Sequence, residues 1–326
     1  MQKILVLGGS GFVGQHLCEK LADLQWPVTL PTRRTQNAKH LQMLPLLTVL
    51  PADVHDEAAL AKLVAGHDAV VNLIAILHGD EAAFNHTHVT LPQKIARACA
   101  AAGVKRLVHV SALGAALDAP SMYQRSKARG EQALQTAGQS AGQTAGLDLT
   151  VLRPSVIFGA DDKFLNVFAK LQRIFPFVPL AGSTTRFQPV WVEDVASSIT
   201  YCLQHKDTIG KTFDLCGPDV FTLKELVQLA AQMSGINHGR GRPVFGLSTR
   251  LGRIQAALMS LAPGAPLMSR DNLNSMAVDN VTDGKLPGLL ALGIKPASLL
   301  AVGPSYLGTR GKYQSLENLR RVAGRG

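Results

Sequence analysis

The sequence predicts an α/β fold in which a doubly wound parallel sheet is followed by a smaller C-terminal α/β lobe. Strand-like apolar runs alternate with helical patterns through the first half, as crossover-linked parallel strands require. Residues 69–75 are nearly all apolar, as expected of a strand covered on both faces. The opening run, residues 3–8, breaks into Gly8-x-x-Gly11-x-x-Gly14 directly ahead of a helical pattern. With 326 residues, 46% of them apolar, the chain can bury a large core.

Residues 3–8 form the first strand and 12–24 the first helix. Val28–Leu30 and Leu47–Leu50 give the second and third strands, and Asp56 caps a helix running through Val64. After the fourth strand, Leu91–Ala102 reads as a helix that stops at Gly103, a good left-handed terminus. Leu107–Val110 is a fifth strand, and a helix covers about Tyr123–Gln135. Residues 136–146 are a low-complexity Ala/Gly/Gln/Thr tract with little to bury, expected as a surface loop. Leu149–Leu152 resumes as the sixth strand. Beyond Pro154 the pattern turns irregular, with prolines at 176, 179 and 189 and helices near 193–204 and 222–234. The expected organisation is a dinucleotide-binding domain over 1–160, completed by segments within 185–220. An interleaved lobe over 161–326, for substrate or partner, carries a basic tail.

The glycine spacing is chemically specific in this strand–turn–helix setting. Gly8 lets the strand turn, Gly11 lets backbone N–H groups approach a pyrophosphate, and Gly14 lets the helix lie close to the sheet. The loop residues Gly8, Ser10, Gly11, Phe12, Val13 and Gly14 therefore form the cradle of a Rossmann-type dinucleotide site. A ligand-free glycine turn is the bland alternative. After the second strand the chain reads Thr32-Arg33-Arg34, where an NAD-specific protein would hold an acid for the ribose hydroxyls. Guanidinium groups at Arg33 and Arg34 suit a 2′-phosphate, so NADP(H) is favoured over NAD(H). Two solvated arginines at a strand end are the alternative.

Tyr123 and Lys127 are spaced by about one helical turn, which places phenol and ammonium on one face. A neighbouring cation stabilises phenolate, which suits proton transfer to or from a carbonyl or alcohol. Ser111, at the end of the fifth strand, is the candidate oxygen-binding donor. His86 and His88 alternate on an expected loop, with His78 not far away; they lack the carboxylate or cysteine company of a metal site, and no metal is expected.

These residues resemble the short-chain dehydrogenase/reductase superfamily in its extended or atypical branch. The likeness rests on the Gly8–Gly14 loop, Asp53-Val54, Asn72–Ala75, Ser111, Tyr123 with Lys127, Arg153–Gly159 and Gln188–Val195. It implies that Asp53 contacts the adenine amine and Val54 its ring. It also implies that Leu73, Ile74 and Ala75 line the cofactor cleft, with Pro154 to Val156 beside the nicotinamide. Further motifs, among them Val108-His-Val-Ser-Ala-Leu113 and Pro154–Asn166, resemble the NAD(P)H-binding accessory subunits of respiratory complex I and their bacterial relatives. In that family the dinucleotide serves structure, and some relatives are tied to quinone metabolism. Ser111 precedes Tyr123 by only twelve positions, so the loop that encloses substrate in active relatives is short.

The implied function is an accessory or assembly factor linked to complex I or quinone metabolism. The alternative is an NADPH-dependent oxidoreductase, or an epimerase/dehydratase-like enzyme, using Tyr123 and Lys127. An NADP(H)-sensing regulator is a third idea.

From residue 238 onward, twelve Lys/Arg face four acids, placing most of the +10 net charge in the last quarter. Solvated surface charge is one reading. The other is an anionic partner, a respiratory complex or membrane surface meeting the basic C-terminal lobe; no nucleic acid is expected. Residues 247–261 place Leu247, Leu251, Ile254, Leu258 and Leu261 on one helical face beside Arg250 and Arg253, to pack on the domain or lie in a bilayer interface. No apolar run reaches transmembrane length, and the N-terminus lacks a signal peptide's basic flank and cleavage site. Cys18, Cys99, Cys202 and Cys216 sit in apolar settings and read as buried thiols. A cytoplasmic protein, peripheral at the inner face of the membrane, is expected.

Overall fold

A computed structural model describes residues 2–140, 146–248, 250–252, 254 and 269–308. The chain divides into two compact units. One comprises Met1–Pro154, Val192–Leu215 and Thr282–Lys295; the other comprises Ser155–Trp191, Cys216–Val281 and Pro296–Gly326.

In chain order the elements begin with β1 (Ile4–Leu7), α1 (Phe12–Asp23), β2 (Val28–Thr32), β3 (Leu47–Pro51), α2 (Glu57–Val64) and β4 (Ala69–Asn72). Next come α3 (Glu81–Asn85), α4 (Leu91–Ala102), β5 (Arg106–Val110), α5 (Met122–Ser140) and β6 (Asp148–Pro154). There follow β7 (Ile157–Phe158), α6 (Leu165–Ile174), β8 (Val178–Ala181), β9 (Arg186–Phe187), β10 (Val190–Trp191) and α7 (Val192–Gln204). The described run closes with β11 (Thr212–Leu215), β12 (Phe221–Thr222), α8 (Leu223–Met233), β13 (Val244–Leu247) and two helices at Arg270–Ser275 and Leu299–Leu307.

The first unit is built on a seven-stranded parallel sheet in the order β11-β6-β5-β4-β1-β2-β3. Strand order reverses at β1 and β4, and the crevice at their carboxyl ends is the topological switch point of such a sheet. On one face Leu5 and Leu7 pack with Leu60, Ile95 and Leu134 from α2, α4 and α5. Alternation turns the fully buried Ile4 and Val6 to the opposite face. Asp56 caps α2 by accepting the Ala58 and Ala59 N–H groups at 2.9 and 3.0 Å. Gly103 ends α4 at φ +71°. All four cysteines are buried and free.

The fold departs from the sequence reading in three places. β4 stops at Asn72, because the Asn72 Oδ1 accepts the Ile74 N–H at 3.2 Å and draws the backbone out of the ladder. Residues 136–140, expected in a loop, continue α5 to Ser140, where their Ala and Gln content tolerates a helix. The rest of that expected loop, 141–145, lies outside the described residues. His86 and His88, expected on a loop, lie in a π-turn over His86–Thr90 that joins α3 to α4.

The second unit pairs its short strands as β7 with β10, β9 with β12 and β8 with β13. Its core joins Phe158, Leu165, Leu180, Leu226, Val227, Val244 and Leu299. A reciprocal cap fixes α8: the Thr222 hydroxyl accepts the Glu225 N–H, and the Glu225 carboxylate accepts the Thr222 N–H at 2.7 Å. Most of the amphipathic stretch expected over 247–261 lies outside the described residues. Among the described residues, no helix is long and apolar enough to cross a membrane.

Candidate functional site

The glycine loop stands at the switch point. Gly8 follows β1 at φ +84°, and a Cβ there would meet the Ile74 backbone nitrogen at 3.2 Å. A side chain at Gly14 would run into the Gly9 carbonyl oxygen at 2.5 Å. Thus Gly14 brings α1 against the loop itself, a closer approach than the helix–sheet contact the sequence implied. Gly11 is the exposed N-cap residue of α1; no side chain caps it, and the first turn has no acid. The positive end of α1 is left open to an anion. Ser10, Phe12 and Val13 are half-buried beside it.

At the end of β2, Thr32 Oγ1 accepts the Arg34 N–H at 3.3 Å and shapes the turn. Arg33 and Arg34 are exposed and form no ion pair among the described residues. Asp53, after β3, is exposed and accepts the His55 N–H at 3.0 Å, whereas Val54 is packed in the core beside Leu5 and Leu7. Lys94 Nζ donates to the His55 carbonyl at 2.6 Å, and the His55 and His86 rings stack at 4.3 Å. Burial, and next His86, lower the His55 pKa; Asp53 opposes them, while Arg33 and Lys94 add to the fall. Asp53 thus sits in a cationic rim.

Leu73, Ile74 and Ala75 leave the sheet at β4 and are partly or fully exposed. The Asn72 amide donates to His109 Nδ1 at 3.1 Å, tying this exit to β5. Tyr123 enters through a cap on α5: Ser121 Oγ accepts the Gln124 N–H and donates to Gln124 Oε1 at 2.9 Å. Lys127, 2% exposed, donates to the Val110 carbonyl at 2.8 Å, and burial lowers its pKa to about 8. Burial also pushes Tyr123 up to about 12, opposite to the fall expected from a neighbouring ammonium. Here desolvation sets the direction, and the Lys127 ammonium spends one of its N–H groups on a backbone carbonyl. The Ser111 hydroxyl is buried with no hydrogen-bond partner among the described residues, as suits a group reserved for a ligand oxygen.

His88 is the residue the sequence did not reveal. Its Nε2 accepts the Ile76 N–H at 3.1 Å, so the proton is on Nδ1, which donates to Ser126 Oγ at 2.8 Å. Ser126 in turn donates to the Tyr123 carbonyl at 2.7 Å. The ring also meets Tyr123 edge-on at 5.6 Å. One neutral imidazole therefore ties the β4 exit loop to the helix bearing Tyr123, and burial lowers its pKa to about 3. Gly130 permits the close packing, since a Cβ there would fall on the His88 carbonyl. No sequence motif marks this role.

The first unit thus carries the glycine loop, Arg33, Arg34, Asp53, Val54, Leu73–Ala75, Ser111, Tyr123, Lys127 and Pro154, which ends β6; Val156 belongs to the second unit. Among the described residues, one group has metal-ligand geometry: His16, Glu19 and Glu193. Lys20 already holds Glu193 at 2.7 Å there.

A glycine cradle at the switch point of a parallel sheet, beside an orphaned serine and a Tyr–Lys helix, defines a dinucleotide-binding α/β protein. The chain belongs to the NAD dependent epimerase/dehydratase family, whose sequence pattern matches residues 4–216. It is 33% identical over 323 residues to mitochondrial NADH dehydrogenase (ubiquinone) 1 alpha subcomplex subunit 9 of Mus musculus, covering 97% of this chain and 79% of that protein. It is 27% identical over 235 residues to the ceramide reductase of Caulobacter vibrioides, covering 71% of this chain and 70% of that one. Among solved structures, DesIV of Streptomyces venezuelae, a dTDP-glucose 4,6-dehydratase with NAD and TYD bound, superposes with a TM-score of 0.73. The identity is 22%, over 94% of this chain and 95% of that one.

Proposed function

We propose that the protein holds NADP(H) as a structural ligand and acts as an accessory or assembly factor linked to respiratory complex I or quinone metabolism. The observation that carries this reading is the β1–α1 cradle, with an uncapped, acid-free helix end beside Gly8, held at φ +84°, and Gly14, where a Cβ would overlap the Gly9 backbone. Gly8, Ser10, Gly11, Phe12, Val13 and Gly14 would hold the pyrophosphate, with Asp53 and Val54 at the adenine. Leu73, Ile74 and Ala75 would line the cofactor cleft, with Pro154 and Val156 beside the nicotinamide. Arg33 and Arg34, exposed at the end of β2 and in no ion pair among the described residues, would take the 2′-phosphate. Likeness to the mouse complex I subunit over almost the whole chain supports the respiratory link. The basic C-terminal lobe would face the membrane complex or the membrane itself, which makes the protein peripheral at the inner face.

A second reading is favoured by the Ser111–Tyr123–Lys127 grouping and by likeness to a ceramide reductase. It makes the protein an NADPH-dependent oxidoreductase. Tyr123 would exchange the proton of a carbonyl or alcohol oxygen, Ser111 would hold that oxygen, and Lys127 would supply positive charge. The bound coenzyme would supply or accept the hydride.

Mass spectrometry of the small molecule released on denaturation, with calorimetry for both coenzymes, tests the first reading. Changing Arg33 and Arg34 to Ala is expected to weaken NADPH about tenfold or more and NADH by less than about twofold. Equal loss for both coenzymes refutes the NADP(H) assignment. NADPH oxidation that disappears in Tyr123→Phe establishes the enzyme instead.

A further inference from the structure

The second unit contains a cavity of about 400 Å³ lined by Arg173, Ser234, Asn237, Arg242 and Leu307, with no acid on its wall. Neither arginine forms an ion pair among the described residues. Among the described residues, Arg242 Nε is buried without a partner, and so is the hydroxyl of Ser234, a residue only 3% exposed. An unpartnered buried donor costs on the order of 1–3 kcal/mol, so two such donors on residues that line one cavity point to an acceptor-rich ligand. The wall is held in place. Fully buried Gln172 accepts the Arg242 N–H at 2.8 Å and donates to the Val227 carbonyl at 2.5 Å, locking the Arg242 segment to α6, which carries Arg173.

Both arginine-bearing segments lead directly into exposed apolar side chains. Arg173 is followed by Ile174, Phe175 and Phe177, which are 72, 50 and 52% exposed. Arg242 lies three residues before Phe245, 58% exposed, whose ring meets that of Phe177 at 6.2 Å. The Val178 N–H to Pro243 carbonyl bond at 2.9 Å, with β8–β13 pairing, fixes the two segments side by side. Paired cations beside protruding aromatic and aliphatic groups match the headgroup and acyl boundary of a bilayer.

We infer that this cavity binds the phosphate headgroup of an anionic membrane phospholipid, with Ile174, Phe175, Phe177 and Phe245 seated at the acyl boundary. Arg173 and Arg242 would pair with the phosphate oxygens, and Ser234 Oγ and Asn237 would donate hydrogen bonds. The inference deepens the membrane-facing reading of the basic lobe and rests on it for its biological setting.

The test is co-sedimentation of the full chain with phosphatidylcholine vesicles, with and without phosphatidylglycerol, and NADPH binding measured on the same samples. The wild type is expected to bind only the phosphatidylglycerol vesicles. Changing Arg173 and Arg242 to Gln is expected to weaken this about 25-fold, about fivefold per arginine, with NADPH affinity unchanged. Arg173→Gln alone, at an exposed position, gives the fivefold step should the double variant misfold. Ser234→Ala is expected to weaken vesicle binding without lowering Tm. Phe177→Ser with Phe245→Ser is expected to lose vesicles while retaining soluble glycerol phosphate. Full binding by the arginine variants overturns the cavity while leaving the basic lobe on the membrane. No vesicle binding by the wild type overturns both, and direct calorimetric binding of glycerol phosphate without vesicle binding reduces the site to one for free phosphate.

Discussion

The His88 tie makes acid stability a direct measure of how the site is built. In the native chain His88 is buried and neutral with a pKa of about 3, against 6.5 for an unperturbed imidazole. Between those values the unfolded chain binds a proton that the folded chain excludes, so stability falls as the pH drops. The full shift corresponds to roughly 5 kcal/mol, and at pH 5 about 2 kcal/mol of it is already lost. The residue is 2% exposed, so solvent does not screen this effect. His88→Gln removes the titrating group and leaves Ile76 N–H and Ser126 Oγ to be satisfied otherwise, at a cost of about 1–3 kcal/mol at neutral pH. The assay is urea unfolding at pH 7 and pH 5, followed by Trp26 in a Trp191→Phe background so that the first unit is read alone. His67, lowered by burial, titrates in both proteins and cancels in the comparison; His109, lowered first by burial and last by His88, enters the difference only through that smallest cause. His88→Gln is expected to lose about 2 kcal/mol less than its parent between these pH values. Parallel curves would refute the neutral, buried imidazole and the tautomer assigned to it.

Two further outcomes follow from the same helix. Gly130→Ala places a methyl group on the His88 carbonyl and is expected to cost about 1–3 kcal/mol, read as a lower Tm with weaker NADPH binding. Glu131 is 3% exposed and grips Arg153 through Nε at 3.0 Å and through a second, Nη2 contact. Glu131→Ala strands a half-buried guanidinium and is expected to destabilise by about 3 kcal/mol, whereas breaking the solvent-screened, exposed pair Arg97–Glu57 is expected to leave the same denaturation curve almost unmoved.

The parts of the fold legible in the sequence were those encoded locally. β1, β4, β5 and β6 are apolar runs bounded by turn residues, Asp56 announces α2, and Gly103 announces the end of α4. The glycine loop was legible because its spacing serves one backbone geometry. What depends on distant partners was not. The two-residue strands β7, β9, β10 and β12 exist only through their pairing and have no period to read. His88 looked like one of two alternating loop histidines, because its partners Ile76 and Ser126 lie 12 and 38 residues away. Tyr123 was assigned a lowered pKa from its spacing to Lys127, and burial, invisible in one dimension, reversed it.

The seventh strand of the parallel sheet, β11, arrives fifty-eight positions after β6 ends, with part of the other unit threaded between them. On the ribosome, a nascent chain that has emerged through Pro154 therefore displays the flank of β6 as an unclaimed template for pairing until Thr212–Leu215 follows. Any lineage that exchanged the intervening lobe would have to preserve both reconnections, or leave that flank exposed throughout every round of synthesis.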